Sequence, residues 1–183
     1  MSIELFLPSQ EVRKNVIIPK LTHGSNIVTV ALGNENLEDC DALITENRAV
    51  SLGIKTADCA PICFSDGIKI GIAHVGWPGL CFGLIEKMLS RFDTAALSVH
   101  VGPFLHSFEI KKDFCYEKLS QKFLKYIEQR PDRLVFHFKD AIRSLLPPGA
   151  IFDSRNTRKD TSLPSYRRDK TKERFTTVVS FSV

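Results

Sequence analysis

The feature that most constrains the fold is the dipeptide Asp66-Gly67, which lies between two apolar runs, Ala60–Ser65 and Ile68–Ala73. Asp-Gly in this setting indicates a β-hairpin, because a type I′ turn needs positive φ at both central residues. If these two residues form the loop, Cys59 and His74 lie opposite each other on one face, with Cβ atoms about 4.5–5.5 Å apart. We therefore expect a thiol and an imidazole that can share a metal ion or form a nucleophile–base pair.

The rest of the chain mixes helical and strand patterns. After Pro78, which suits the first turn of a helix, apolar residues recur at helical spacing as far as Phe92. Helices are also predicted over Asp113–Gln129 and Lys139–Leu146, and the basic segment Arg155–Arg174 predicts a long loop. Further strands are predicted at Glu4–Leu7, Val16–Ile18, Ile27–Leu32, Ala42–Thr45, Val50–Ile54, Leu97–Val101, Ile151–Phe152 and Phe175–Phe181. Because strands outnumber helices, we predict an α+β fold: a mixed or antiparallel β-sheet core flanked by helices.

Composition and charge narrow the functional classes. The 183 residues are 43% hydrophobic and 25% charged, which is ordinary for a globular protein, and we expect a single domain over residues 1–183. The net charge of +4 is mild and no nucleic-acid-binding module accompanies it, so we expect no nucleic-acid partner. The sequence shows neither a signal-peptide pattern nor an apolar run of the ~18 residues that a membrane span needs. We therefore expect no membrane partner, reduced cysteines and a cytoplasmic location.

Two further segments carry candidate site residues. His23, in the loop sequence T-H-G-S, is a candidate third ligand beside Cys59 and His74. Two histidines and one cysteine around zinc leave a fourth position for water or substrate, as in catalytic sites. Near the C-terminus, Tyr166, Arg167 and Arg168 offer an aromatic ring and two guanidinium groups, which suit phosphate or ribose recognition. A purely structural interpretation gives the cysteine and histidines packing roles and places the arginines in a surface turn.

Six ordered segments carry a resemblance to a known family. They are L-T-H-G-S-N-I-V-T-V, D-A-L-I-T, G-I-K-T-A-D-C-A-P-I, A-H-V-G-W-P-G-L, V-G-P and S-Y-R-R-D-K. Together they resemble the YfiH family, also called laccase-domain or multicopper polyphenol oxidase-like proteins. The resemblance runs from about His23 to the C-terminus. It implies a metal site of His23, Cys59 and His74, and a fold similar to that of the cytotoxic necrotising factor deamidases.

The resemblance also implies a function. Family members are regarded as enzymes that cleave adenosine, inosine, guanosine and methylthioadenosine with phosphate, and that deaminate adenosine. Zinc would then activate a water or polarise the nucleoside, Asp58 would orient that water or a ligand histidine, and the 166–168 segment would hold the substrate and its anion. With copper in place of zinc, the reaction would be oxidation of phenols. The same residues also suit a Cys–His hydrolase or deamidase, or a non-catalytic relative that binds a nucleotide-like ligand or a protein.

The sequence departs from the family at three places. Pro78 replaces the arginine that is common in the family's G-W-R-G segment, and the N-terminal T-R-x-G-G segment of the family is not found. The segment after G-P, which reads F-L-H-S-F-E-I, is shortened and lacks the family's usual cysteines. We therefore expect a short member of the family with a reduced substrate pocket. The sequence leaves open whether two copies of the chain form a homodimer that completes the pocket.

Overall fold

The computed structural model describes residues 1–182, in which short strands predominate. The strands are β1 (Ser2–Phe6), β2 (Val16–Ile17), β3 (Ile27–Thr29), β4 (Ala42–Thr45), β5 (Ser51–Thr56), β6 (Ala60–Ser65), β7 (Ile70–Val75), β8 (Ser98–Val101), β9 (Phe108–Ile110), β10 (Ile127–Gln129), β11 (Leu134–Phe136), β12 (Ile151–Phe152) and β13 (Phe175–Ser180). The helices are α1 (Trp77–Cys81), α2 (Leu84–Leu89), α3 (Phe114–Phe123), α4 (Phe138–Leu145) and α5 (Tyr166–Asp169).

These strands form three sheets. The largest has six strands in the order β12-β8-β6-β7-β4-β3, the second has four in the order β1-β13-β5-β2, and a small one has the order β10-β11-β9. Parallel pairs occur at β12–β8, β3–β4 and β2–β5, and the other pairs are antiparallel. The prediction of an α+β fold with a mixed sheet is confirmed.

The side chains of β6 alternate between two hydrophobic clusters, one on each face of the six-stranded sheet. Ile62 and Phe64 face a cluster that includes helix residues such as Leu80 and Leu84, whereas Cys63 faces a cluster shared with the four-stranded sheet. Side chains of a strand alternate between its two faces, so β6 is buried on both sides. The six-stranded sheet therefore forms the middle layer. Within residues 1–182, no helix is long and apolar enough to cross a membrane.

The central hairpin forms where the sequence predicts it, but its loop is longer. Ser65 pairs with Ile70, so four residues form the loop rather than the predicted two. The Asp66 carboxylate fixes this loop, because its Oδ1 accepts hydrogen bonds from the amides of Ile68 and Lys69 at 3.0 and 2.7 Å. Side-chain capping of this kind offers the backbone an alternative to a tight two-residue turn.

The longer loop changes the register at the open end of the hairpin. His74 pairs with Pro61, so the predicted pairing of Cys59 with His74 is wrong. Cys59 lies one residue beyond the last pair of the ladder, Ala60 with Val75. The change is equivalent to moving Cys59 by two positions relative to β7, and side chains two positions apart share a face. Cys59 and His74 therefore remain on the same face despite the different register.

Two predicted helices are shorter than the sequence suggests. The helix after Pro78 is broken at Gly83, whose φ of +75° lies in the left-handed region and separates α1 from α2. The helix that begins after Asp113 ends at Phe123 rather than Gln129, because the residues of β10 pair with β11 instead. The predicted loop over 155–174 contains the short helix α5.

Candidate metal centre

The three predicted metal ligands come together at the open end of the hairpin. One ligand atom from each of His23, Cys59 and His74 lies within 4.8 Å of the other two. His74 lies on β7, Cys59 immediately precedes β6, and His23 lies in the loop before β3. The two imidazole rings meet edge to face, with centroids 4.7 Å apart and planes inclined at 75°. A loop residue remote in sequence is thus placed beside the hairpin pair.

A buried carboxylate that the sequence analysis missed positions both histidines. Asp41, which immediately precedes β4, is fully buried. Its Oδ1 accepts hydrogen bonds from the His23 amide and from Nδ1 of His74, both at 2.9 Å. Its Oδ2 accepts from the Gly24 amide at 2.6 Å and from the Thr22 hydroxyl at 3.0 Å. Because Nδ1 of His74 is engaged, Nε2 is the ring nitrogen left for a metal ion, as in carboxylate–histidine–metal arrangements.

The backbone at the site adopts unusual conformations. His23 and Asp58 have φ values of +61° and +87°, in the left-handed region that non-glycine residues rarely enter. A Cβ added to Gly76 would lie 3.1 Å from Sγ of Cys59 and 3.2 Å from Cδ2 of His23, so a larger residue at this position would require these side chains to shift. Local strain and close packing of this kind are common where side chains are held for function.

The cluster is electrostatically coupled. Burial alone would raise the pKa of the Cys59 thiol, but hydrogen bonds with His23 and His74 outweigh it and lower that pKa to about 6. Burial likewise opposes the charge on His74, yet the Asp41 carboxylate and the Cys59 sulfur raise the pKa of His74 to about 9. For Asp41, burial is outweighed by the hydrogen bonds from His74 and the Gly24 amide, which lower the carboxyl pKa to about 2. In the metal-free protein, Cys59 is therefore mainly a thiolate near neutral pH.

This charge state predicts selective alkylation of Cys59. In metal-free protein, the rate of reaction with iodoacetamide is expected to reach half of its plateau at a pH near 6 and to fall tenfold per pH unit below it, because the thiolate is the nucleophile. Cys115 is the matched control: it is half-buried, and burial raises the pKa of its thiol to about 11. Mass spectrometry of peptides labelled at pH 7 measures both sites. Equal labelling of the two cysteines would contradict the prediction.

Asp58 lies beside Cys59 but is directed toward the C-terminal segment. Its Oδ1 accepts hydrogen bonds from the hydroxyls of Thr157 and Ser165, both at 2.7 Å. Its Oδ2 accepts from the amide of Arg167, also at 2.7 Å. The side chain is buried, and all three partners lie about a hundred residues further along the chain. Asp58 therefore joins the segment that contains α5 to the turn that carries Cys59.

The two adjacent arginines have different positions. The Arg168 guanidinium donates hydrogen bonds to the backbone carbonyls of Thr157, Asp160 and Leu163, and it pairs with the Asp169 carboxylate at 2.6 Å. It lies in a separate surface depression and is not brought to the metal centre. Through these contacts Arg168 stabilises the loop that precedes α5.

Arg167 and Tyr166 do border the metal centre's cleft. The Arg167 guanidinium lies 4.2 Å from the centre of the Phe108 ring and donates a hydrogen bond to the Glu109 carbonyl at 3.2 Å. Tyr166 is exposed, and Nζ of Lys170 lies 5.1 Å from the centre of its ring. Of the three residues predicted to bind substrate, the structure thus brings two to the cleft.

The cleft has a volume of about 680 Å³, within the range of small-molecule sites. It adjoins all three candidate ligands, so a ligand in the cleft would reach the cluster directly. The residues around it are Pro19, Leu21, His23, Lys55, Thr56, Ala57, Asp58, Cys59, His74, Gly76, Trp77, Pro78, Tyr166, Arg167, Lys170 and Arg174.

The donor set fits a tetrahedral metal ion. Metal–nitrogen distances of about 2.0 Å and metal–sulfur distances of about 2.3 Å would separate the ligand atoms by about 3.3–3.5 Å, so small side-chain movements would close the cluster around an ion. One thiolate and two imidazoles would hold three positions of such an ion and leave a fourth for water or substrate. Asp41 supplies the outer carboxylate that such histidine ligands usually have.

Fold and site together define a mixed-sheet protein with one candidate two-histidine, one-cysteine metal centre that opens into a cleft. The chain belongs to the family described as multi-copper polyphenol oxidoreductase laccase, whose model matches residues 4–182. The resemblance to the YfiH family is therefore confirmed.

Similar proteins agree with this assignment. The chain is 30% identical over 180 residues to a purine nucleoside phosphorylase of Aquifex aeolicus, a match that covers 91% of this chain and 83% of that protein. It is 25% identical over 173 residues to a purine nucleoside phosphorylase of Rickettsia conorii, covering 85% and 71% of the two chains. The solved structure of the Bacillus licheniformis hypothetical protein YfiH matches with a TM-score of 0.80 at 23% identity, covering 92% of this chain and 74% of that one. This last match shows the fold.

Proposed function

We propose that this chain is a zinc-dependent purine nucleoside phosphorylase, which cleaves adenosine, inosine, guanosine or methylthioadenosine with phosphate and also deaminates adenosine. The observation that carries the proposal is the convergence of His23, Cys59 and His74, supported by Asp41, at a cleft large enough for a nucleoside. The relatives named as purine nucleoside phosphorylases support this substrate class.

The chain's own residues would bind and orient the reactants. Zinc would supply a Lewis acid when bound. Asp41 holds His74 in one orientation through Nδ1, and Asp58 holds the turn before β6 against the C-terminal segment. Tyr166 and Trp77 border the cleft and offer aromatic surface for the purine ring. Phosphate attack at C1′ displaces the purine, so the cleft must place the anion and the base on opposite sides of the ribose.

A thiol mechanism is the second candidate, because the same residues form a Cys–His–Asp arrangement. Cys59 is the nucleophile in this hypothesis, His74 its base, and Asp41 the group that orients the base. It predicts a hydrolase or deamidase that is inactivated by alkylation of Cys59 and is insensitive to chelators. A thiolate held by zinc is not free to attack, so the two mechanisms exclude each other in one state.

Copper-dependent phenol oxidation has less support. Within residues 1–182, one cluster of three or more histidine, cysteine or acidic side chains is arranged to hold an ion. A multicopper mechanism requires several copper sites. A single centre with one thiolate and two imidazoles is also an ordinary zinc donor set.

The proposal is tested by measuring release of free purine base from adenosine and inosine, with and without phosphate. We expect phosphate-dependent release, about one zinc per chain by elemental analysis, and loss of both in Cys59→Ala, because the thiolate is a ligand. Cys115→Ala is the matched control, since Cys115 is half-buried and lies outside the cleft. It is expected to retain activity and zinc.

The competing hypotheses predict different results. Activity that survives chelation and is lost on alkylation of Cys59 would favour the thiol mechanism. Base release without phosphate would identify a hydrolase instead. Tight nucleoside binding without turnover would identify a non-catalytic relative.

A further inference from the structure

The cleft beside the metal centre carries an excess of positive charge. Four cationic side chains border it, those of Lys55, Arg167, Lys170 and Arg174. None of the four forms an ion pair within residues 1–182. The carboxylate that borders the cleft, Asp58, already accepts three hydrogen bonds from the C-terminal segment. The cationic groups are therefore left without a carboxylate partner in the cleft.

A buried hydroxyl in the cleft wall is also without a partner. Thr56 is 1% exposed, and its Oγ1 makes no hydrogen bond within the described residues. Buried polar atoms are nearly always paired with protein, water or ligand, because an unpaired one costs free energy. Thr56 borders the cleft, so a bound molecule can supply the missing partner.

Strand pairing places this hydroxyl and two of the cations at one end of the β5–β13 ladder. Thr56 ends β5 and pairs with Phe175, the first residue of β13. Lys55 and Arg174 each adjoin one member of this pair, so their side chains lie on the other face of the sheet from Thr56, and all three residues border the cleft. This end leads directly to Cys59, three residues beyond Thr56. The group therefore adjoins the metal centre along the chain.

Backbone carbonyls hold one of the cations in place. Nη1 of Arg174 donates to the carbonyls of Thr171 and Glu173 at 3.1 and 2.7 Å, which fixes one edge of the guanidinium. The backbone of Lys170, the residue after α5, is fixed in the left-handed conformation with a φ of +55°, and its amide donates to the Tyr166 carbonyl at 2.9 Å. A cation fixed before a ligand arrives, such as that of Arg174, loses less entropy when it binds the ligand.

We propose that Lys55, Thr56, Lys170 and Arg174 form an oxyanion subsite that takes inorganic phosphate. The inference rests on the proposed phosphorylase function, and it names the groups that hold the second substrate. Three cations more than balance the one to two negative charges that phosphate carries near neutral pH, and the Thr56 hydroxyl donates a hydrogen bond to one of its oxygens. Of the two arginines predicted for this role, Arg168 has its guanidinium engaged elsewhere, and that of Arg167 lies on the Phe108 ring and donates to the Glu109 carbonyl.

The subsite is tested by calorimetric titration of the zinc-loaded protein with inorganic phosphate at constant ionic strength. Lys55→Gln and Lys170→Gln are each expected to weaken phosphate binding about tenfold, because each removes a charge-assisted hydrogen bond. Lys172→Gln is the matched control: it makes the same charge change in the same segment, but Lys172 is exposed and lies outside the cleft. It is expected to change the affinity by less than about twofold.

Thr56→Val supplies a variant that keeps the volume of the side chain. It is expected to weaken phosphate binding severalfold while leaving the melting temperature unchanged or slightly higher, because the lost hydroxyl makes no hydrogen bond in the protein. A lower melting temperature together with unchanged phosphate affinity would show that the hydroxyl has a structural role, and would overturn its place in the subsite.

Two further results separate this inference from the proposed function. If phosphate binding depends on these residues but the protein releases no purine base, the subsite is supported and the proposed phosphorylase function is contradicted. If the protein catalyses phosphorolysis with a KM for phosphate that is unchanged in Lys55→Gln and Lys170→Gln, the phosphorylase function is supported and the subsite is contradicted. Phosphate affinity that is lost in Cys59→Ser but unchanged in the lysine variants would place the anion on the metal instead, and would also reject the subsite.

Discussion

Asp41→Asn is expected to destabilise the metal-free protein by about 3 kcal/mol, which corresponds to a fall in melting temperature of roughly 6–12 °C. The carboxylate is fully buried and accepts four hydrogen bonds, so an amide nitrogen in place of one oxygen would face groups that also donate. The same change is expected to weaken zinc binding about 10–100-fold, because His74 loses the carboxylate that orients it. Thermal unfolding and competition with a zinc-binding dye measure the two effects.

Asp39→Asn is the matched control, since Asp39 carries the same charge two residues away but is exposed. Its φ of +51° is tolerated by asparagine, so little change in stability is expected. The pH profile gives a second check. The Asp41 carboxyl has a pKa of about 2 in the folded protein, against about 3.9 when unfolded, so its stabilisation is complete above about pH 4 and is lost as the pH falls toward 2. This loss of stability between pH 4 and pH 2 should be absent in Asp41→Asn. If Asp39→Asn changed stability and zinc affinity as much as Asp41→Asn does, the role assigned to Asp41 would be contradicted.

Asp58→Ala is expected to release the C-terminal segment from the metal centre. The carboxylate accepts three hydrogen bonds, and alanine also tolerates a φ of +87° poorly. Amide hydrogen exchange at Arg167 should accelerate about 100-fold, because three hydrogen bonds of about 1 kcal/mol each are lost. Exchange in β6 and β7 should change much less.

Two variants in the same segment test whether this effect is local. Ser165→Ala removes one of the three hydrogen bonds and should accelerate exchange at Arg167 to a smaller degree. Ser162→Ala removes an exposed hydroxyl that bonds only to Asp160, and it should have little effect. A uniform acceleration over the whole chain in Asp58→Ala would indicate global destabilisation rather than release of the segment.

The meeting of Cys59 and His74 could be predicted because it requires only that both side chains lie on one face of the hairpin, whatever the exact register. The Asp-Gly signal located the hairpin, but the Asp66 carboxylate extends the loop by bonding to two loop amides. A loop longer by two residues leaves each side chain on the same face, so Cys59 and His74 still meet. A loop longer by one residue would have placed Cys59 on the opposite face from His74.

The helix breaks could not be predicted from periodicity. Leu80, Leu84 and Met88 all pack in the core with helical spacing, although Gly83 interrupts the helix between them. The spacing survives because both short helices lie on the same face of the six-stranded sheet. After Phe123 the apolar pattern continues, and pairing of β10 with β11 decides against a helix there. Such a choice depends on a partner strand that local sequence does not identify.

The roles of Asp41 and Arg168 required the folded chain. Asp41 carries one local signal, an acidic residue just before the apolar strand A-L-I-T, but its partners lie 17 to 33 residues away. Arg167 and Arg168 are adjacent and chemically identical, yet one reaches the cleft and the other bonds to backbone carbonyls of its own loop. Only the path of that loop distinguishes them.

The position of β13 has a consequence for how the protein folds. β13 lies between β1 and β5 in the four-stranded sheet, so strands from the two ends of the described chain must meet before that sheet exists. Contacts between residues so distant in sequence are slow to form, because closing a long loop costs entropy before the contacts reward it. Until β13 inserts, β1 and β5 present unpaired edges that can join with another chain. We therefore expect refolding yield to fall as protein concentration rises, with insertion of β13 as the step that competes with aggregation.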